Sequence, residues 1–444
     1  MSFEAVPKRR WDERYRLRVL ALLPPRRLAA AFRRLLGRYA AKGAEREHLK
    51  RVKAASLHLD LKADRGPEGR PNIRVIRRKS TKGDDAPQNL GLRRVLASSL
   101  DAAEPEVESR VVRRGFGAAT EGLFHHLVYL NAEKKPKCQI IEKVLVTGSS
   151  ANTSSAYWAQ EAAIYLHLAE QHGLKGVSLA RCYGIHYSKR QSIHLFLEFL
   201  RGCTPPKTTA HYELLAQKLG EFNGWAANQQ IWREPWLRPD RGLAARSRVN
   251  ALEDAIHAFL PQHEDQQRLL RVARRVARRS LELDRLEAAT PSTLAHGDTH
   301  VGNVLISNKA RTLYLIDWGR VCRSRIGYDL VKVSAPWTYI LARGGRVSDY
   351  IEREDLLLGR YMDGVSTQIP REDHLTIKRY YYLRSFVEGV RILPLVIQRY
   401  KSASSKRYQQ NLDNNRAEFA RFLVFQGERA LRSLDAVNLT SPSA

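Results

Sequence analysis

The sequence is poor in cysteine and has no long apolar run, and each absence argues against a class of protein. Four cysteines are scattered over 444 residues without a CxxC pair or a histidine at metal-ligand spacing, so a disulfide scaffold or zinc site is not indicated. No stretch of about 18 apolar residues occurs, and the first twenty residues are highly charged where a signal peptide would be apolar. We therefore expect reduced thiols in a cytoplasmic protein that does not span a membrane.

Acidic residues are also scarce relative to basic ones. There are 75 Lys and Arg against 46 Asp and Glu, which gives a net charge of +29. The 43% of hydrophobic residues is enough to form two or three packed cores and argues against a disordered chain. The positive charge favours an anionic partner or substrate, although charge alone identifies neither.

Basic residues are concentrated near the N-terminus, where the first 110 residues carry 27 Lys and Arg against 14 Asp and Glu. Residues 26–42 have apolar side chains at helical spacing and arginines mostly on the other side, and residues 62–90, rich in Gly, Pro and charge, indicate a linker. We expect residues 1–107 to form a basic extension. An anionic membrane surface is a candidate partner for residues 1–110, at the inner face of the membrane. Nucleic acid is less favoured, because no RNA-binding motif accompanies the charge.

Strand patterns begin at about residue 108. Three β-rich runs, 111–116, 123–130 and 138–146, predict antiparallel strands, a helix is predicted over 156–173, and 192–200 returns to a strand. After residue 208 the chain is predicted to be helical except in 293–320. One of its helices, 268–285, has Leu269, Val272, Val276 and Leu283 on one side and arginines around the rest.

Residues 292–320 concentrate the polar residues that suggest chemistry. Two apolar runs, NVLIS and TLYLID, flank the polar turn NKAR, which predicts a β-hairpin. Antiparallel pairing about position 310 would place Asn303 opposite Asp317 at the open end, with Asp298 on a loop nearby. Two carboxylates and an amide at one place are suitable ligands for Mg²⁺, which also binds substrate phosphates. The pattern therefore suggests phosphoryl transfer.

The motif HGDTHVGN followed by LIDWG resembles the signature of the aminoglycoside phosphotransferase and choline kinase family. The resemblance implies a protein-kinase-like α+β fold with two lobes. The N-lobe, a small antiparallel sheet, would span 108–200, and the larger helical C-lobe would span 201–440. By the same resemblance, Asp298 matches the catalytic base, and Asn303 and Asp317 match metal ligands. His296 would shape the loop, and Asp329 would brace it.

Other residues match the nucleotide-binding parts of the same family. Lys143 resembles the strand lysine that contacts the phosphates of ATP, and Glu161 resembles its helical ion-pair partner. Gly115 and Gly117 lie in a glycine-rich turn that would cover the phosphates, as would the nearby Gly122. The segment 197–202 resembles the hinge, where the backbone from Glu198 to Leu200 would meet the adenine edge. GTP remains an alternative nucleotide.

The expected function is ATP- and Mg²⁺-dependent transfer of the γ-phosphoryl group to a hydroxyl of a small molecule. Few carboxylates cluster in 201–292, which favours a neutral or anionic acceptor, such as a sugar or glycan, over a cationic one. Trp225, Trp232 and Trp236 would either line an acceptor pocket or pack between helices. The alternative is a kinase-like module whose main role is to bind an anionic membrane or nucleic acid through its basic extension.

Overall fold

The computed structural model describes residues 74–77, 106–114, 120–129, 138–146, 157–168, 174–187, 192–234, 237–240, 242, 249–259, 264–307, 311–334, 346–393 and 406–438. The basic helix predicted at 26–42, the two glycines Gly115 and Gly117, and Trp236 lie outside these residues.

A six-stranded sheet forms the N-terminal part of the fold. Its strands are β1 (Arg74–Arg77), β2 (Glu106–Arg114), β3 (Thr120–Tyr129), β4 (Cys138–Val146), β5 (Cys182–Tyr187) and β6 (Ser192–Glu198). Their order across the sheet is β1-β5-β6-β4-β3-β2, and only β1 pairs in parallel. The predicted antiparallel strands are confirmed, and β4 has the predicted bounds.

The sequence patterns did not predict β1 or β5. β1 lies inside the segment interpreted as a linker, where it pairs with β5 from Arg74 opposite Gly184 to Arg77 opposite Tyr187. Its four residues are too few for a detectable alternation. β5 contains Gly184 and a bulge near its start, which interrupts the period of two.

The helix α1 (Tyr157–His167) packs on one face of this sheet, here called the inner face. Successive strand residues point to opposite faces, so Leu145 of β4 and Leu195 of β6 share the inner face and pack with Tyr165 of α1. Lys143 lies on the same face. The other face, here called the outer face, carries the alternate side chains of β4 and β6: Ile140, Glu142, Val144, Ser192, His194 and Phe196.

The C-terminal part is mostly helical. Its described helices are α2 (Thr209–Asn228), α3 (Val249–Phe259), α4 (Glu264–Arg278), α5 (Ser280–Ala289), α6 (Tyr328–Val333), α7 (Val347–Val365), α8 (His374–Arg391) and α9 (Lys406–Asn438). One core lies between α2 and α7 and includes Trp225, so that tryptophan is a packing residue. A second core joins α3, α4, α8 and α9. Among the described residues, none of the helices has the length and apolar character that a membrane span requires.

The helix predicted over 268–285 is two helices, because Arg279 interrupts it between α4 and α5. The apolar side was predicted correctly, since Leu269, Val272, Val276 and Leu283 are all buried in the second core. A break of one residue hardly changes the spacing of the apolar residues, so the sequence pattern does not reveal it.

The other described strands form two small sheets. The strands β7 (Cys203–Thr204), β9 (Val304–Ser307) and β10 (Leu313–Leu315) form one, and β8 (Ser292–Ala295) pairs with β11 (Cys322–Arg325) in the other. The hairpin of β9 and β10 is therefore confirmed. Together with the large sheet and the helical part, these elements give the expected two-lobed α+β architecture.

The register of that hairpin differs from the prediction by one residue. Val304 pairs with Leu315, and the Ile316 N–H donates to the Asn303 carbonyl oxygen at 3.0 Å, so Asn303 lies opposite Ile316 rather than Asp317. The turn sets this register: the Ser307 N–H donates to the Thr312 carbonyl oxygen at 3.0 Å, and Arg311 adopts a positive φ of 48°.

Candidate active site

Asp298 lies on the loop that follows β8, and Asp329 of α6 holds this loop in place. The backbone N–H groups of His296 and Gly297 each donate to the Asp329 carboxylate at 2.9 Å. The Thr299 hydroxyl donates to the backbone carbonyl oxygen of Asp329 at 2.7 Å. Asp329 is fully buried and contacts backbone groups of the loop, so its structural role agrees with the prediction.

Gly297 is required at its position because of its backbone conformation. Its φ is +80°, which strains any residue with a side chain, and a Cβ there would overlap the carbonyl oxygen of Arg320. The loop before Asp298 therefore packs directly against the backbone after Asp317.

The His296 side chain holds the loop in place through hydrogen bonds to backbone groups. Its Nε2 lies 3.0 Å from the Ile316 carbonyl oxygen, and the Asp298 N–H donates to its Nδ1 at 3.3 Å. This arrangement requires a neutral ring with the proton on Nε2. Burial lowers the pKa of His296, which is consistent with the neutral form. The ring also packs edge-on against Trp318, with centroids 4.6 Å apart. His296 thus fixes the backbone of Asp298.

The Asp298 side chain itself is 26% exposed, so it can meet a substrate. The Nε of Arg320 lies 3.6 Å from its Oδ2. The Asn303 side chain donates from Nδ2 to the Asp298 backbone carbonyl oxygen at 3.0 Å. That bond uses the nitrogen of the amide and leaves its oxygen for another partner. The loop therefore presents a carboxylate and an amide oxygen together.

Lys143 joins this region to the N-terminal sheet. Its Nζ lies 2.6 Å from the Glu161 carboxylate on α1 and 2.7 Å from Asp317, which follows β10. Burial by itself lowers the pKa of Lys143, but the two carboxylates outweigh it and hold that pKa above its usual value. The same ammonium outweighs the effect of burial on Asp317 and lowers its pKa. Both groups are therefore charged.

Glu161 is more deeply enclosed than Asp317. Its side chain is 2% exposed, whereas that of Asp317 is 41% exposed. Burial raises the pKa of Glu161, while Lys143 and the backbone N–H of Trp318, which donates to it, oppose this change. Since Trp318 directly follows Asp317, Glu161 connects α1 both to the lysine and to the segment that carries Asp317.

Asn303 and Asp317 are the residues that could hold a metal. Both residues lie just outside the strands of the hairpin. Asn303 ends a short 3-10 turn, and Asp317 adopts a left-handed conformation with a φ of 63°. Among the described residues no group of three or more His, Cys, Asp and Glu is arranged as a metal site. The Asn303 amide oxygen and the Asp317 carboxylate are both oxygen donors, which suits Mg²⁺ completed by water and phosphate oxygens.

The predicted hinge connects the two lobes. Glu198 ends β6, its N–H donates to the Arg181 carbonyl oxygen at 2.8 Å, and its carboxylate accepts from the Arg181 N–H at 3.3 Å. The Phe199 N–H donates to the Gln139 carbonyl oxygen at 3.1 Å. Within the described parts of the chain, the Leu200 N–H donates to no protein group. Leu200 is therefore the better candidate of the two for contact with an adenine edge.

The structure brings together five predicted residues, Lys143, Glu161, Asp298, Asn303 and Asp317, and places Glu198 and Leu200 at the lobe connection. Sequence reasoning missed Arg320. Its signal was present in the sequence DWGR, where a cation follows the metal-ligand candidate Asp317 by three residues.

Comparisons with known proteins agree with this geometry. The model of the phosphotransferase enzyme family (APH) matches residues 139–361, which include all five of these residues. None of the curated protein sequences matches the chain. The chain belongs to the phosphotransferase enzyme family, and the expectation of a phosphotransferase with an alcohol group as acceptor is confirmed at the level of the family.

Several solved structures are similar to this chain. An amicoumacin kinase, in complex with AMP-PNP, Ca²⁺ and Ami, is 14% identical over 70% of this chain and 88% of its own, with a TM-score of 0.47. An ethanolamine kinase from Plasmodium vivax is 13% identical over 70% and 82%, with a TM-score of 0.41. An aminoglycoside-3'-phosphotransferase of type VIII is 20% identical over 64% and 93%, with a TM-score of 0.35.

Proposed function

We propose that this protein transfers the γ-phosphoryl group of ATP, with Mg²⁺, to a hydroxyl group of a small neutral or anionic acceptor. The observation that carries the proposal is the contact of Lys143 with both Glu161 and Asp317. This contact connects the sheet, α1 and the metal-ligand candidates, which are the parts that must be aligned for phosphoryl transfer. GTP is the alternative donor, since no described contact distinguishes the two bases.

Lys143 would hold the phosphates of the nucleotide through its ammonium, and Glu161 would keep that ammonium in place. Asn303 and Asp317 would hold the Mg²⁺. When bound, the metal supplies charge neutralisation between the phosphate oxygens. Asp317 is the partner of Lys143 with the greater exposure, so it can turn toward a metal while Glu161 keeps its contact.

Asp298 would orient the acceptor hydroxyl and accept its proton. The hydroxyl oxygen forms a bond to the γ-phosphorus, the bond from that phosphorus to the β,γ-bridging oxygen breaks, and the proton moves to the Asp298 carboxylate. ADP leaves with the bridging oxygen. The backbone of Asp298 is held by His296 and Asn303, so its side chain meets the hydroxyl from a fixed position.

The acceptor class is inferred from charge around Asp298. Arg320 lies beside this carboxylate and is 60% exposed, so it would repel a cationic acceptor and attract an anionic group. This supports a neutral or anionic acceptor, such as a sugar or a sugar phosphate. A cytoplasmic location remains a prediction from composition, as does contact of residues 1–110 with an anionic membrane surface.

The experiment that tests the proposal compares Asp298→Asn with Asp284→Asn, an exposed aspartate of α5. ADP release above the water background is measured with MgATP and a panel of sugars, sugar phosphates, choline and aminoglycosides. We expect Asp298→Asn to reduce kcat by about 10²- to 10⁴-fold, with ADP binding and Tm close to the wild type. The Asp284→Asn control should retain full activity. Wild-type turnover in Asp298→Asn would contradict the proposed role.

A further inference from the structure

His300 lies between two residues of the candidate active site and joins them through its backbone. It follows Asp298 and precedes Asn303 in the same loop. Its N–H donates to the Asp298 carbonyl oxygen at 2.8 Å, and its own carbonyl oxygen accepts from the Asn303 N–H at 2.8 Å. The loop itself therefore fixes the position of His300 relative to the candidate base and the metal-ligand candidate.

The side chain of His300 caps the short 3-10 turn that ends at Asn303. The Gly302 N–H donates to its Nδ1 at 3.0 Å. The ring lies against Gly302, since a Cβ at that glycine would be 2.8 Å from Cε1 and 3.0 Å from Nδ1 of the histidine. These contacts hold the ring in one orientation, and the glycine leaves the room that the ring needs.

This cap decides which ring nitrogen carries the proton. A nitrogen that accepts a hydrogen bond has no proton, so the neutral ring of His300 carries its proton on Nε2. The Nε2–H of the buried His296 meets the Ile316 carbonyl oxygen. His300 is exposed instead, and its Nε2–H donates to no protein group among the residues that the structure describes. It is therefore an N–H donor available to a ligand.

The ring of His300 also lies near the other metal-ligand candidate, Asp317. Burial raises the pKa of Asp317, Lys143 lowers it, and His296 and His300 lower it further. An electrostatic effect of this kind weakens with distance, so the His300 ring must be close to the Asp317 carboxylate. The donor thus lies near the three side chains that would surround the transferred group.

The proposed reaction needs a donor at this place. The γ-phosphoryl group would lie between Asp298, which receives the acceptor proton, and the metal ligands Asn303 and Asp317. Its peripheral oxygens carry negative charge in the transition state, and fixed cations or N–H groups stabilise that charge. A donor held in the same loop as Asp298 and Asn303 is suited to bind one of these oxygens.

We propose that His300 binds the γ-phosphoryl group of the nucleotide, with its Nε2–H donating to a γ-phosphate oxygen. This contact rests on the proposed function, because it adds a residue to the same site. His300 then has two separable tasks. Its Nδ1 caps the turn that carries Asn303, and its Nε2 contacts the phosphate.

Two substitutions separate these tasks. His300→Asn keeps a side-chain oxygen that can accept from the Gly302 N–H, since asparagine forms caps and turns of this kind, but it has no donor at the position of Nε2. His300→Ala removes both the cap and the donor. The control is His374→Asn on α8, where the histidine Nε2 lies 3.3 Å from the Ile369 carbonyl oxygen.

The measurement is the affinity of the full-length protein for MgAMP-PNP and for MgADP by calorimetry, because only AMP-PNP carries a γ-phosphoryl group. We expect His300→Asn to weaken MgAMP-PNP binding by about 5- to 10-fold, with MgADP binding within about twofold and Tm close to the wild type. His300→Ala should weaken MgAMP-PNP binding at least as much. His374→Asn should leave both affinities within about twofold.

Equal losses for the two nucleotides in His300→Asn would show that His300 acts only through the metal ligand. An unchanged affinity for MgAMP-PNP would show that its side chain does not reach the γ-phosphate. Either result overturns this contact and leaves the proposed phosphoryl transfer in place, whereas a wild type that binds neither nucleotide would overturn both. If His300→Asn does not fold, the ratio of the two affinities in His300→Ala gives the same comparison.

Discussion

Lys143 contacts two carboxylates, Glu161 and Asp317, which come from distant parts of the sequence. The two carboxylates differ in how deeply they are buried. Burying a charge is costly unless it is paired, so removal of a fully enclosed partner leaves an uncompensated ammonium. Glu161 is such a partner, because its side chain is almost completely buried. Asp317 faces the active site, so its carboxylate can move away from Lys143 and bind another cation instead. Glu161 is therefore the constant partner in the proposed mechanism.

The first prediction follows from this difference. Glu161→Gln removes the charge of the constant partner but keeps the size of the side chain, so Lys143 should lose its fixed direction. We expect kcat/KM for the nucleotide to fall by about 10-fold or more. The control is Glu213→Gln, which removes a carboxylate from a half-exposed ion pair with Arg360 and should change kcat/KM by less than about twofold. An unchanged kcat/KM in Glu161→Gln would show that Lys143 is positioned by other contacts.

Glu354 provides a second prediction at this scale, concerning pH. This fully buried carboxyl accepts hydrogen bonds from Tyr381 at 2.8 Å, from Ser385 at 3.4 Å and from Gln426. Burial raises its pKa from 4.5 to about 7, so the folded protein binds a proton there that the unfolded chain loses. Stability from this group is complete below pH 4.5 and is lost as the pH rises through 7.

The measurement is the free energy of unfolding between pH 5 and pH 8 for the wild type and Glu354→Gln. We expect the wild type to lose about 3 kcal/mol more than the variant over this range. Glutamine does not titrate, and its amide can pair with the Gln426 side-chain oxygen, which has no hydrogen-bond partner among the described residues. Parallel pH profiles for the two proteins would contradict the raised pKa.

At the scale of elements, α2 and α7 approach each other closely where both carry glycine. A Cβ at Gly364 of α7 would overlap the carbonyl oxygen of Gln217 in α2, and one at Gly220 would overlap that of Tyr361. Both helices carry other residues of the main core, which also surrounds Trp318 next to Asp317. The two glycines thus set the distance between helices that support the active site.

Two substitutions in α7 test this contact with the same chemical change. Gly364→Ala should destabilise the protein by about 2 kcal/mol or more, because the helices must separate to admit the methyl group. Gly359→Ala, where no atom lies within 4 Å of the added Cβ, should instead stabilise it by about 0.5 to 1 kcal/mol. Chemical denaturation gives both values. A stabilising Gly364→Ala would show that the helices tolerate a wider spacing.

Elements with a strong local pattern could be predicted from the sequence, and their long-range pairing could not. The nine-residue strand β4 was predicted with its observed bounds, since it is a continuous β-rich run between polar turns. β5 was missed because its identity depends on pairing with β6 and β1, and its own pattern is broken by Gly184. The hairpin register was wrong by one residue because the turn geometry, including the positive φ of Arg311, decides it.

The candidate site was predicted residue by residue from motifs, and only some of its supporting contacts were predicted with it. The Lys143–Glu161 ion pair was predicted by resemblance and is present, whereas the contact of Lys143 with Asp317 was not predicted. The position of Arg320 beside Asp298 depends on the close packing of Gly297 against the backbone of Arg320. A contact between two loops of this kind has no periodic signal in the sequence.

At the scale of the whole molecule, the net charge of +29 must be accommodated in the folded state. A compact chain with one sign of charge in excess repels itself more than the expanded unfolded chain does. Part of this excess lies on α4, where Arg271, Arg275 and Arg278 are exposed. None of these three arginines forms an ion pair with any described residue. Each surface ion pair elsewhere contributes little to the free energy of folding. Repulsion between the excess positive charges should therefore dominate the effect of salt on stability.

The last prediction is that salt stabilises this protein. Raising NaCl from 10 mM to 100 mM shortens the screening length from about 30 Å to about 10 Å, which weakens repulsion across the molecule more than attraction between adjacent charges. We expect Tm to rise by about 2 to 5 °C over this range. The matched variant, with Arg271, Arg275 and Arg278 all changed to Gln, removes three positive charges that have no ion-pair partner among the described residues. It should therefore have a higher Tm at 10 mM NaCl and a smaller rise with salt. A Tm that falls with added NaCl in the wild type would mean that ion pairs, and not the excess of positive charge, dominate the electrostatic energy of the fold.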